Sequence, residues 1–276
     1  PARVELWYDS AAEKNAQRRE VEEVLDAYAA NVASARLLAH GVSPAALAPI
    51  EVQRYDTGTN ASRSALFIGS MLSMLFFPAF FCGMSAAVDS TAGERERRSM
   101  EVLMAQPARA WEIVAGKWLM AGALAIFGLT LELILMHLVL SWMPLEELGM
   151  SWALTWSDVA MVCIVALPLS LLAAALQIAL AMNAKSFKEA QSLLSIVLML
   201  PLLPGAVVSM MDLKTATWMY AVPMLSNQTL LREISKGVEI SALPYVLTFF
   251  SAALPALAIV AFASWRMKSE RYVLAV

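Results

Sequence analysis

Long uncharged runs alternate along this chain with short, densely charged clusters. Residues 65–88, 159–183, 190–211 and 240–265 contain no Asp, Glu, Lys or Arg, and 113–142 contains only Lys117 and Glu132. Each run clears the roughly 20 apolar residues that carry a helix across about 30 Å of hydrocarbon. The pattern predicts five membrane-spanning helices. A sixth uncharged stretch, 215–231, contains Pro223 and the polar run Ser226-Asn227-Gln228-Thr229. Lipid-exposed backbone cannot be interrupted in this way, so 215–239 is expected as a broken, re-entrant helical hairpin and not a complete crossing.

Residues 1–63 differ in kind, with 9 acidic and 7 basic residues among them. Val4–Tyr8 alternates like a strand, an Ala/Glu/Arg-rich helix follows from about residue 11 to 38, and Glu51–Tyr55 reads as a second strand. This segment is expected to be a small α/β module of β-α-β form, ahead of a membrane domain at 64–276. The fold class is thus mostly α: a polytopic helical membrane protein carrying a small α/β head.

Composition agrees. The chain is 59% hydrophobic and 16% charged, against about 25% charged in a typical soluble domain. An ordinary soluble enzyme, a disordered chain and a disulfide scaffold are all excluded, and the main surroundings are membrane lipid. A net charge of −3 gives no basic footprint for nucleic acid. Cys82 and Cys163 both fall inside predicted spans, and with two His besides there is no zinc-like spacing, so no metal site is expected.

Where the cations lie sets the orientation. Arg266, Lys268 and Arg271 follow the last span; Arg95, Arg97, Arg98, Arg109 and Lys117 lie between the first and second; Lys185 and Lys188 lie between the third and fourth. Alternating spans put all three groups on one side, which is then cytoplasmic, together with the C-terminus. Five crossings place 1–63 and 215–239 outside, in a multi-pass protein of the cell (inner) membrane. An exported head needs a leading hydrophobic segment, and the sequence starts at Pro1 without one. The expectation is a chain lacking its first transmembrane helix, with six spans in the complete protein.

The inner loop 89–112 carries the most distinctive pattern. Glu94-Arg95-Glu96-Arg97-Arg98-Ser99 precedes Met100, Leu103 and Met104 at i, i+3 and i+4, and Pro107 ends the run. Two readings stand. One is a solvated loop obeying the positive-inside rule, for which plain Lys or Arg would serve. The other is a rigid charged helix with an apolar stripe that docks in a groove of a cytoplasmic partner, whose identity composition does not give.

Gly93-Glu-Arg-Glu-Arg-Arg-Ser-Met-Glu-Val-Leu-Met, followed by Pro107, Arg109, Glu112-Ile113-Val114 and Gly116-Lys117, resembles the signature of type-2 ABC exporter permeases, and most of all their sodium-efflux, NatB-type branch. Met100 and Met104 stand where Leu is usual, with Ala108 in the run before Arg109; these departures keep the apolar stripe. The resemblance implies a permease subunit of an ATP-driven exporter, working by alternating access with a second permease copy, as homo- or heterodimer. Glu94, Arg95, Glu96, Arg98, Ser99, Glu101, Leu103, Pro107, Arg109 and Lys117 would then couple to separate ABC ATPase subunits, with Glu94–Met104 as the coupling helix. No Walker motif occurs in the chain. ATP and Mg would be held by the partner, no cofactor by this chain, and no residue here would be catalytic.

Glu132 is an acid in mid-span, where a charge costs roughly 2.5–3.5 kcal/mol on insertion scales. It is open to two readings: a cation or proton site on the transport path, with His137 about one turn on and Gln177 in the next span as candidate partners, or a protonated acid buried between helices. These residues also bear on two other classes. An intramembrane protease using Glu146-Glu147 lacks partners for its acids. A proton- or ion-coupled secondary transporter using Glu132 would need no inner-loop signature, and no half of the sequence repeats the other.

Overall fold

The computed structural model describes residues 2–8, 15–40, 50–56, 74–144, 154–205, 215–235 and 240–268. In the head, β1 (Ala2–Tyr8) and β2 (Ile50–Asp56) pair in parallel, with Ala2 opposite Ile50 and Tyr8 opposite Asp56. A parallel pair needs a crossover connection, and α1 (Asn15–His40) lies in that connection.

The segment expected as the first span is described from residue 74; residues 64–73 lie outside the described residues. It is a sequence of short helical pieces. These are α2 (Pro78–Phe81), α3 (Met84–Val88), a π-helical turn Asp89–Gly93, α4 (Glu94–Glu96) and α5 (Ser99–Met104). Arg98, at φ 57°, separates α4 from α5, so the single helix expected over 94–104 is corrected to two. A left-handed backbone at a non-glycine residue cannot continue a right-handed helix.

Four helices among the described residues are long and apolar enough to cross a membrane: Ala110–Trp142, Trp156–Ala181, Phe187–Gly205 and Ala242–Met267. The first is α6, the second α7, and the last α10. The third begins as α8 (Phe187–Val197) and loosens into turns before Pro201, which cannot donate to a helical ladder. The expected bounds shift outward to 110 and 156, because Arg109–Glu112 and Thr155–Asp158 supply capping contacts that start each helix earlier than its first apolar residue. At 33 residues, α6 measures about 50 Å and must reach beyond the hydrocarbon. Between α8 and α10 a 3-10 turn (Thr217–Ala221) and α9 (Leu225–Ser235) form a short broken pair of helices. Met224, at φ 68°, lies just before α9.

Helix α7 is the hub. The share of its apolar window buried within the chain is 61%, against 22% for each of the other three. Ala173, Ala174 and Ala175 let neighbouring backbones approach, and its core spreads to Leu129 and Leu133 on α6 and Ala252 and Ala256 on α10. The early segment lies as closely against α6. A Cβ added at Gly128 would come within 2.2 Å of Cys82 Sγ, and one at Gly83 within 2.6 Å of the Ala121 carbonyl. Only glycine leaves room for this crossing. Gly128→Val is therefore expected to destabilise by about 1–3 kcal/mol or more through overpacking, with Cys82→Ala recovering part of it. Thermal unfolding of the detergent-solubilised protein checks this, and an unchanged midpoint for Gly128→Val would contradict the crossing.

Candidate functional site

The site begins where helices end. A helix leaves its last carbonyls and first N–H groups without partners, and at the end of the bundle that carries the loop 89–112, Arg95 and Glu96 supply them. Arg95 donates from Nη1 to the Ala184 carbonyl and from Nη2 to the Met182 carbonyl, both at 2.9 Å, just beyond the end of α7 at Ala181. The planar guanidinium fork suits two neighbouring acceptors, and its charge suits the negative end of the helix dipole. Glu96 accepts from the Phe187 N–H at 2.8 Å, at the positive first turn of α8. Glu94 pairs with Lys117 of α6, whose ammonium also donates to the Ser90 carbonyl in the π turn. The pair is only partly in water, with side chains 26% and 12% exposed. Arg97 pairs with Asp89 at 3.0 Å on the surface; that hydrogen bond, and then the aspartate charge, push the guanidinium pKa further up.

Past Arg98 the segment turns. Ser99 Oγ donates back to the Glu94 carbonyl at 3.1 Å. Met100 is 2% exposed and packs into a second apolar cluster with Val114, Ile178, Met182 and Met267, at the ends of α6, α7 and α10 nearest this loop. The apolar stripe thus points home at Met100, and Leu103 is half-buried. Arg98, Ser99, Val102, Gln106, Pro107 and Arg109 are exposed, Val102 by 66%. The side chains of Glu101 and Met104 lie outside the described residues. Of the expected coupling residues, then, Glu94, Arg95, Glu96 and Lys117 gather at one end of the bundle, while Arg98, Ser99, Pro107 and Arg109 are exposed.

The intramembrane candidates do not form one site. Gln177 is fully buried and donates from Nε2 to the Phe80 carbonyl, near the break between α2 and α3; its Oε1 has no hydrogen-bond partner among the described residues. It is a cross-link to the early segment and not the partner of Glu132. His137 is buried edge-on against Trp156, with centroids 4.3 Å apart, at the far end of α6. Five residues turn a helix by about 500°, so His137 and Glu132 are on different faces. Glu132 is half-buried, four residues from Gly128 at the Cys82 crossing, with no hydrogen bond or ion pair among the described residues.

A second set of polar contacts closes the opposite end. Ser226, Asn227, Gln228 and Thr229 are all at most 4% exposed, so α9 is buried around these polar positions. Gln228 donates from Nε2 to the Pro201 carbonyl at 2.7 Å, where the helix begun as α8 loosens. Thr215 links to Glu233 and Arg232 at 2.8 and 2.9 Å. The polar run of an otherwise apolar stretch was the signal for Gln228; its role as partner of a helix break was not readable from spacing.

These features, apolar helices around a small-residue hub with the charged loop locked to their ends, define a polytopic helical membrane protein. The chain belongs to the ABC-2 family of transporter proteins, whose family model matches residues 1–265. Among curated proteins it is similar to the ABC transporter permease protein NatB of Bacillus subtilis (strain 168), with 28% identity over 211 residues, 74% of this chain. The chain spans about half the length of that relative, 54% of it.

A hydrogen bond between buried helices in a membrane protein is worth about 0.6 kcal/mol on average. Gln177→Met is therefore expected to lower the unfolding midpoint slightly and to leave transport in place. Complete loss of transport with unchanged folding would return Gln177 to the transport path.

Proposed function

We propose that this chain is the permease subunit of an ATP-driven exporter in the cell (inner) membrane, with hydrolysis supplied by separate ABC ATPase subunits that hold ATP and Mg. The observation that supports it best is the division of the loop 89–112: its signature is anchored to three helices while Arg98, Ser99, Val102, Pro107 and Arg109 are exposed toward a partner. In this reading two permease copies form the pathway, as homo- or heterodimer. ATP-driven closure of the ATPase pair pushes the loops and switches the spans between inward- and outward-facing states. In this reading residues 1–63 and 215–239 lie outside and the C-terminus lies in the cytoplasm, an orientation the cation distribution supports. Sodium is the substrate favoured by the NatB-type pattern of the loop.

Glu132 supports a second reading, in which the chain is a proton- or ion-coupled carrier. A half-buried acid without a hydrogen-bond partner among the described residues is suited to meet a cation or a proton in mid-membrane.

Val102→Asp or Arg98→Glu should lower permease-stimulated ATP hydrolysis at least about ten-fold, near 1.4 kcal/mol, without reducing membrane insertion. Vesicles holding both subunits give the readout, and full stimulation by both variants would refute docking on this face. Glu132→Gln should reduce sodium efflux from vesicles by a similar factor while ATPase stimulation persists. Sodium efflux that continues in wild-type vesicles lacking the ATPase subunit would favour the carrier.

A further inference from the structure

Three charged side chains at the head of the loop reach three helices drawn from separate parts of the chain, and each meets its electrostatic complement. Glu94 faces the Lys117 ammonium on α6, Arg95 the terminal carbonyls after α7, and Glu96 the first N–H of α8. The connection between α7 and α8 is five residues long, 182–186, and is held near both ends by these contacts. On the far side of the bend at Arg98, Met100 is buried among α6, α7 and α10.

A loop that bends at a left-handed residue would fold on itself when pushed unless both sides of the bend were fastened. Here they are: by polar contacts before Arg98 and by an apolar anchor after it. We propose that Glu94, Arg95, Glu96 and Lys117 form an intramolecular clamp. They are positioning residues that make the loop and the inner ends of α6, α7 and α8 move as one body, leaving recognition of the partner to Arg98, Ser99 and Val102. This rests on the loop being where the ATPase subunit docks, and it divides the charged run into a half that binds the chain itself and a half that binds the partner.

The chemistry of each contact sets the test. Lys117→Met leaves the Glu94 carboxylate partly buried and unpaired, which is costlier than losing the pair. The expected result on the full-length permease is a fall in the unfolding midpoint for Lys117→Met and a partial recovery when Glu94→Gln is added. Arg95→Lys, which keeps the charge but loses the fork, should fall between wild type and Arg95→Ala. In the assembled transporter, Lys117→Met and Arg95→Ala should retain the ATPase subunit through purification yet lose about ten-fold of the stimulated hydrolysis. Additive losses for Lys117→Met and Glu94→Gln, or release of the ATPase subunit with an unchanged unfolding midpoint, would overturn the clamp. If the wild-type permease never retains an ATPase subunit, the docking reading fails, and the unfolding midpoints still decide the clamp.

Discussion

A backbone carbonyl or N–H freed where a helix stops or breaks has no water to turn to inside a membrane, and it must be met from within the protein. This constraint accounts for much of the chain's polar chemistry. Gln177 serves the Phe80 carbonyl, Gln228 the Pro201 carbonyl and Lys117 the Ser90 carbonyl. Arg95 and Glu96 do the same for the end of α7 and the start of α8. The pattern explains why an apolar chain keeps amides inside its spans: each ties one helix to a weak point in another.

Packing supplies the second half of the account. With lipid as apolar as any leucine, helices gain by close approach more than by burial, and the tightest crossings here are at Gly128 against Cys82 and Gly83 against Ala121. The alanines of α7 allow the same on its other sides, with α6 and α10 sharing its core. The outward faces of α6 and α10 keep Phe127, Leu131, Phe250 and Leu257 exposed, as surfaces in contact with lipid should.

Much of this was legible in the sequence. Charge-poor runs located the four helices long and apolar enough to cross a membrane, because desolvating an ion is expensive, whereas the run at 65–88, described from residue 74, is short helical pieces. Alternation at 4–8 and 51–55 located the two strands that pair in parallel. The loop signature pointed to the family. What the sequence hid was direction. Helical spacing showed that Met100, Leu103 and Met104 share a face but not that Met100 turns toward its own bundle. Composition showed an alternating charged run but not that its first half is spent on helix ends. Glu132 and His137 looked like a pair by separation along the chain, yet 3.6 residues per turn put them on different faces. The expected single helix at 94–104 failed at Arg98, where nothing in residue type signals a left-handed backbone.

Central to the proposed mechanism is one mechanical property: the loop 89–112 and the helix ends it binds form a single moving body. Spin labels on the exposed residues Val102 and Asn183 report it directly in the assembled transporter. On adding ATP and Mg, the Val102–Asn183 distance within one copy should stay fixed while the Asn183–Asn183 distance between copies changes. A Val102–Asn183 distance that shifts while the distance between copies holds still would contradict it.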